Sequence, residues 1–399
     1  MDETSRLLLY CLSSELRQDM LPGPEDEAAW SALADRAGRL GLSQFLYWRL
    51  QDRGISMPQG LYAVLRPRYW ATATHNAHKL EQLRRILGSL ADARVPVILL
   101  KGATLLGQVY PGPGSRPMRD VDLLIQASRV EQAAAVLQQM GYDTPATDGR
   151  GHTREFLRSY GGELAFEGGK GRWLSLDLHW RLVHHEGYRD FLDIDYDGLW
   201  QRARPAPEAV GGGLQLPVED NLLYLALHLG LHHRLEVLSM YLDLDRVIRK
   251  TEAIDWNAFS ARARAWRVRN VTYLSLALAR ELFSSPVPED LLDALRPSRL
   301  RLAFLGRIVN ASDIAAGQVS AGTKGERILH LLLTDRLWDL ARATFKVLWP
   351  DREWLRLRYH LEDRGPVGGH RLRHLGRMFS YGLQALGELG GWPGSRNGR

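Results

Sequence analysis

Residues 95–125 read VPVILLKGATLLGQVYPGPGSRPMRDVDLLI. The first apolar run, VPVILL, is β-branched at its start and too brief for a helix, so it reads as a buried strand. Lys101-Gly102 punctuates it, and ATLLGQVY is compatible with a short helix. PGPGSRP excludes regular structure. Arg119-Asp120-Val121-Asp122 then opens a second apolar strand, VDLLI. Side chains alternate along a strand, so Asp120 and Asp122 share one face about 7 Å apart. Two carboxylates so placed at the mouth of an apolar strand are hard to explain by folding alone. Drawn toward one point, they are hard oxygen ligands suited to Mg²⁺ or Mn²⁺.

The next segments extend this unit. ASRVEQAAAVLQQMGY is an amphipathic helix, with Ser128 as candidate N-cap and Gly141 ending it. ELAFEG and WLSLDLHWRL read as two further strands joined by the glycine-rich EGGKGR. Asp177 lies on the second of these, predicted to neighbour the aspartate strand. His179, two residues on, shares its face, and Trp180 points the other way into the core. Three carboxylates on adjacent strands suit a two-metal phosphoryl-transfer site.

Helical patterns flank the unit. SRLLLYCLSSEL, AAWSALADRAGRLGLSQFLYWRL and a long stretch from Leu61 to Ala93 precede it; the last has Leu80, Leu83, Ile86, Leu87 and Leu90 on one face and Pro67 near its start. From about Pro217 the pattern is helical again. EDNLLYLALHLGLHHRLEVLSMYLDLDRVIRK reads as one periodic stretch, with Glu219 and Asp220 at its N-terminus. Shorter helices follow, then a polar loop at 317–327 and a long helix or helix pair to Pro350. The end, GGWPGSRNGR, reads as a frayed tail. The organisation expected is a helical region over 1–94, an α/β core over 95–216 and a helical region over 217–399. The fold class is α+β, a small mixed sheet embedded between helices.

Composition excludes several classes. The chain has 399 residues, 45% of them hydrophobic, enough to bury a sizeable core. Cys11 is the only cysteine, which rules out an internal disulfide and a cysteine-based zinc site. No window approaches 18 uninterrupted apolar residues, and the first residues lack the basic and apolar regions of a signal peptide. A cytoplasmic protein with no membrane contact is expected. A balance of 52 Lys and Arg against 46 Asp and Glu permits a phosphate-bearing ligand without requiring one. Arginine-rich helices such as ARARAWRVR interleave cations with aromatics, a pattern that can follow a nucleic-acid backbone but is more often the solvated side of an amphipathic helix.

LLKGATLL, Arg116 with the MRDVDLLI run over 118–125, and LDLHW over 176–180 together resemble the nucleotidyltransferase superfamily, whose fold is shared with DNA polymerase β. More narrowly the chain looks like the bacterial uncharacterised nucleotidyltransferases. The resemblance extends through NLLYLALHLGLHHR and YLDLDRVI and more loosely to about residue 290. It implies that Asp120, Asp122 and Asp177 bind Mg²⁺ or Mn²⁺ and carry the chemistry. A nucleoside triphosphate would be co-substrate and a small-molecule or peptide acceptor would receive the nucleotidyl group, as in natural-product tailoring. It also implies a cleft face formed by His228, His232, His233 and Arg234. The superfamily usually has Gly-Ser at the turn after the first strand. This chain has Lys101-Gly102, where the lysine can meet phosphate as a point charge and the glycine allows close backbone approach. Arg116 and Arg119 can clamp phosphates or balance the carboxylates. His228 and His232 have a zinc-like spacing, but Leu229 and Gly230 stand where a glutamate base would be needed. Asp245 is expected to partner Arg234. Phosphoryl transfer at the same site, a non-catalytic nucleotide-binding module and an RNA-binding protein are the rival readings.

Overall fold

Four helices precede the sheet: α1 (Glu3–Leu12), α2 (Glu27–Arg39), α3 (Ser43–Asp52) and the 34-residue α4 (Gln59–Asp92). The structure is a computed structural model and describes residues 1–23, 25–106, 108–148, 151–169, 174–183, 191–318, 329–361 and 367–390. Leu83, Ile86, Leu87 and Leu90 of α4 are buried and Leu80 is half-buried at the end of the same stripe. Pro67 neither ends nor delimits α4, which runs on through it.

The sheet has seven strands in the order β3-β4-β5-β2-β1-β7-β6. They are β1 (Ile98–Leu100), β2 (Asp120–Leu124), β3 (Tyr142–Asp143), β4 (Glu163–Gly168), β5 (Ser175–His179), β6 (Arg204–Pro205) and β7 (Leu214–Gln215). It is mixed: β2 runs antiparallel to β1 and parallel to β5. The register sets Asp122 opposite Leu100 on one side and opposite Asp177 on the other. The alternate residues Val121, Leu123, Leu176 and Leu178 are buried in one hydrophobic cluster with the α4 leucines and with Ala133, Ala134 and Leu137 of α6 (Val130–Gln139). One face of the central strands therefore holds the sheet in place and the other is left for polar side chains. Ser128 does not cap α6; it lies in a 3₁₀ turn over Ala127–Arg129, and Arg129 takes the N-cap position without a side-chain bond. Gly141, at φ +80°, ends the segment in the left-handed conformation. The second half of the EGGKGR turn, most of the polar loop expected at 317–327 and the tail beyond Gly390 fall outside the described residues.

The loop between the short helix α5 (Gly102–Leu105) and β2 is irregular but tightly held. Asn76 of α4 donates to the carbonyls of Pro113 and Arg116 and accepts from the Met118 amide. Lys79 donates to the carbonyls of Met118 and Arg119, 2.6 Å each. One helix face thus satisfies the loop's buried backbone groups and fixes where β2 begins.

The helix expected across 219–250 is broken. α9 (Val218–Leu227) passes into a π-helical turn, His228–His232, and α10 (Leu238–Lys250) begins only after Arg234 and Leu235, both at positive φ. Apolar periodicity continues through the break because every segment packs on the same core. Gly230 fits the π turn because a β-carbon there would lie 2.1 Å from Val271 Cγ2. Glu219 and Asp220 sit in the first turn of α9, and buried Asp220 also accepts from Arg202 and Arg262. Helices Trp256–Ala265, Arg269–Phe283, Glu289–Leu295, Leu337–Leu348 and Gly368–Gly390 continue the helical C-terminal region. No helix among the described residues is long and apolar enough to cross a membrane.

Candidate active site

β2 and β5 bring Asp122, Asp177 and His179 together. One donor atom from each lies within 4.8 Å of the others, and among the described residues this is the one His/Cys/Asp/Glu group that could hold a metal ion. Asp120 is exposed at the strand mouth and is not in that compact set. Asp122 is only 1% exposed. Its Oδ1 accepts from Lys101 Nζ at 2.6 Å and pairs with His179 Nε2 at 2.9 Å. His179 Nδ1 in turn lies 3.3 Å from Glu163 Oε2 on β4.

These contacts divide the two carboxylates electrostatically. Burial pushes the Asp122 carboxyl up, but the Lys101 charge and the His179 hydrogen bond outweigh it and hold the group at about 2. Asp177 has no such hydrogen-bonded cation among the described residues. Burial first raises its carboxyl; the His179 charge opposes this, and the Asp122, Glu163 and Asp120 charges add to it, leaving the group at about 7. Burial lowers His179, yet the bond to Asp122 and the Glu163 and Asp122 charges leave it raised overall. Adjacent carboxylates with oppositely displaced titrations mark a site that can hold one charge fixed and exchange a proton at the other.

The site opens into a cavity of about 640 Å³. Lys101, Asp120, Glu163 and Asp177 line it, and so do His228, His232 and His233. Arg39–Leu42 from the N-terminal helices and Val237–Met240, Leu242 and Asp243 from the start of α10 complete it. The volume falls within the ordinary range for small-molecule and cofactor sites.

A family model described as "Uncharacterised nucleotidyltransferase" matches residues 26–284. The chain belongs to this family. No curated protein matches the sequence. The matched span takes in α2 through α12 (Arg269–Phe283), so this nucleotidyltransferase carries the sheet, the aspartates and the histidine turn inside the family region.

Several residues take places in this enzyme that the sequence does not foretell. Lys101 sits at φ +48° and caps the turn: its carbonyl accepts from Thr104 Oγ1 and from the Thr104 and Leu105 amides. Its ammonium lies on Asp122 and 5.9 Å from the Tyr224 ring centre. Gly102 makes room for a guanidinium, since a β-carbon there would lie 2.8 Å from Arg116 Nη1. Arg116 is committed to Asp243 of α10, with Nε and Nη2 each 2.8 Å from its two oxygens. Tyr110 donates to the same carboxylate at 2.6 Å. Arg116 therefore braces the loop against α10 and also lines the cavity, whereas Arg119 is exposed at the cavity edge.

The His228 and His233 Nε2 atoms are 3.0 Å apart, and the His232 ring centre is 5.2 Å from that of His228. Burial, then Lys101, lowers His228 well below the usual imidazole range and brings His233 to about 4. At neutral pH the pair is uncharged, one nitrogen donating to the other. Arg234 is not among the cavity-lining residues. It pairs with Glu236, and Asp245 accepts from Arg249 and Ser285 instead, which corrects the expected Asp245–Arg234 contact. Glu163, Tyr224 and Asp243 were not anticipated as site residues. Glu163 carried a usable signal: on β4, alternation and the register opposite His179 set it on the aspartate face.

The donor set fits a hard divalent cation. Carboxylate oxygens from Asp122 and Asp177 dominate, and cysteine is absent from the site. His179 is already bonded to Asp122, an arrangement that orients a ligating carboxylate from the outer shell.

Proposed function

We propose that this nucleotidyltransferase takes a nucleoside triphosphate and transfers its nucleotidyl group to a hydroxyl or phosphate of a small-molecule or peptide acceptor. Asp122 and Asp177, with Asp120 at the mouth, would hold Mg²⁺ or Mn²⁺. The observation that carries this reading is the register of Asp122 against Asp177 on adjacent parallel strands, with Asp122 buried and Asp177 and Asp120 lining the cavity. When bound, the ion supplies charge neutralisation at the phosphates and acidifies the attacking hydroxyl.

The chain's own residues divide the remaining work. Lys101 and His179 keep Asp122 ionised and aimed. Arg119, exposed at the cavity edge, is available to the triphosphate. Asp177, ionised once it ligates the ion, can take the acceptor proton as the acceptor oxygen bonds to the α-phosphorus. The bond from that phosphorus to the β-phosphate oxygen breaks, and pyrophosphate leaves. The neutral His228–His233 pair offers hydrogen bonds without added charge, suited to a base or sugar.

The test is pyrophosphate release from each of the four ribonucleoside triphosphates with Mg²⁺, using candidate hydroxyl and peptide acceptors. Wild type should release pyrophosphate and the Asp120→Ala/Asp122→Ala variant should not; equal release by the two would remove the site assignment.

A further inference from the structure

The Lys101 ammonium lies 2.6 Å from Asp122 Oδ1, the oxygen that His179 Nε2 also reaches at 2.9 Å. We infer that Lys101 is a tethered cation occupying one of the two cation places of a two-metal arrangement, so that the site takes a single divalent ion. The inference deepens the metal-dependent reading above and rests on it.

Two ions in such a site stand about 3.5–4 Å apart and need carboxylates that bridge them. Asp122 is the natural bridge, being the central acid with strand neighbours on both sides. Its Oδ1 already receives two donors and is enclosed by them. An ion bonded to that oxygen would sit at about 2.0–2.1 Å, inside the space the ammonium fills. Oδ2 remains for one ion shared with Asp177. Asp120, the other acid able to complete a second cage, stands outside the compact donor set.

Lys101 is also built to stay. Its backbone is held at positive φ by three hydrogen bonds to its carbonyl, and its side chain is 14% exposed beside the Tyr224 ring. A positive-φ lysine is retained only where the surroundings over-determine it. A fixed ammonium supplies charge at that place without a binding equilibrium of its own.

The experiment counts ions. Mn²⁺ would be titrated into full-length wild type, Lys101→Met and Lys101→Arg, with and without one equivalent of a nonhydrolysable triphosphate. Bound ions are counted by electron paramagnetic resonance, and Mn–Mn dipolar broadening reports a pair. Wild type and Lys101→Arg should bind one ion per chain without broadening in both conditions. Lys101→Met should bind a second ion with broadening in the nucleotide complex, and Mn²⁺ should raise its melting temperature more than that of wild type. Two ions in wild type, or one in a folded Lys101→Met, would overturn the inference while leaving the metal reading standing. If Lys101→Met does not fold, the wild-type count alone decides. No bound Mn²⁺ in wild type would remove the metal reading itself, and this inference with it.

Discussion

Binding of a divalent ion should expel a proton from Asp177. The metal-free carboxyl titrates near 7 because burial and three neighbouring acids disfavour its charge, whereas a ligating carboxylate must be ionised. A single group at 7 is about 0.9 protonated at pH 6 and about 0.1 at pH 8, so those are the protons released per ion. Apparent Mg²⁺ affinity should accordingly rise about tenfold per pH unit below 7 and level off above 8. Titration calorimetry in buffers of different ionisation enthalpy measures the released protons directly. Asp177→Asn should abolish the release at pH 6 and leave weak, pH-flat binding. An affinity that is flat from pH 5.5 to 8.5 in wild type, or release that does not fall as pH rises, would refute the electrostatic account of the site.

The same shift has a sign in stability. Asp177 is raised on folding, so the folded metal-free protein binds the extra proton. Stability is then lost as pH climbs from about 4 to about 7, by up to about 4 kcal/mol. Asp122 runs the other way: its contribution is present above about 4 and is lost as pH falls toward about 2.

Other perturbations test how the site is held. Asp243→Ala strands the half-buried Arg116 guanidinium and the buried Tyr110 hydroxyl; it should cost about 3 kcal/mol by urea denaturation, while Arg116→Met/Asp243→Leu should recover part of that stability. Asn76→Ala removes three hydrogen bonds to the loop before β2, and it should lower stability by about 2–3 kcal/mol and depress kcat more than the KM for nucleotide. Gly114→Ala puts a β-carbon 2.3 Å from the Tyr69 carbonyl oxygen of α4, so the loop must shift; a loss of about 1–3 kcal/mol in thermal denaturation is expected, and a neutral outcome would show that the loop is not seated on α4 as described.

What the sequence made legible follows from how local its signals are. Strand alternation has a period of two whatever the surroundings, so Asp120 and Asp122 could be assigned to one face and Asp177 and His179 to another strand's matching face. The apolar stripe of α4 and the glycine after α6 were equally local. Contacts between distant segments were not. Nothing in PGPGSRP announces that Arg116 will meet Asp243, 127 residues on, or that Asn76 will hold the loop. Lys101 shows the limit within the decisive stretch itself. Its place after the first strand suggested phosphate contact, but its direction is set by a positive-φ backbone and a buried acid 21 residues away. The unbroken periodicity over 219–250 likewise concealed a π turn, because a core-facing pattern survives a change in helical pitch when both sides stay buried.

The most direct measurement follows the phosphate label. The protein would be incubated with Mg²⁺, a fractionated cell extract as acceptor source, and a nucleoside triphosphate labelled in separate reactions at the α- or the γ-phosphorus. Nucleotidyl transfer predicts that α-label enters a product, that γ-label leaves as pyrophosphate, and that Asp122→Asn abolishes both. Product carrying γ-label and no α-label would contradict it and make the enzyme a phosphoryl transferase at the same aspartates.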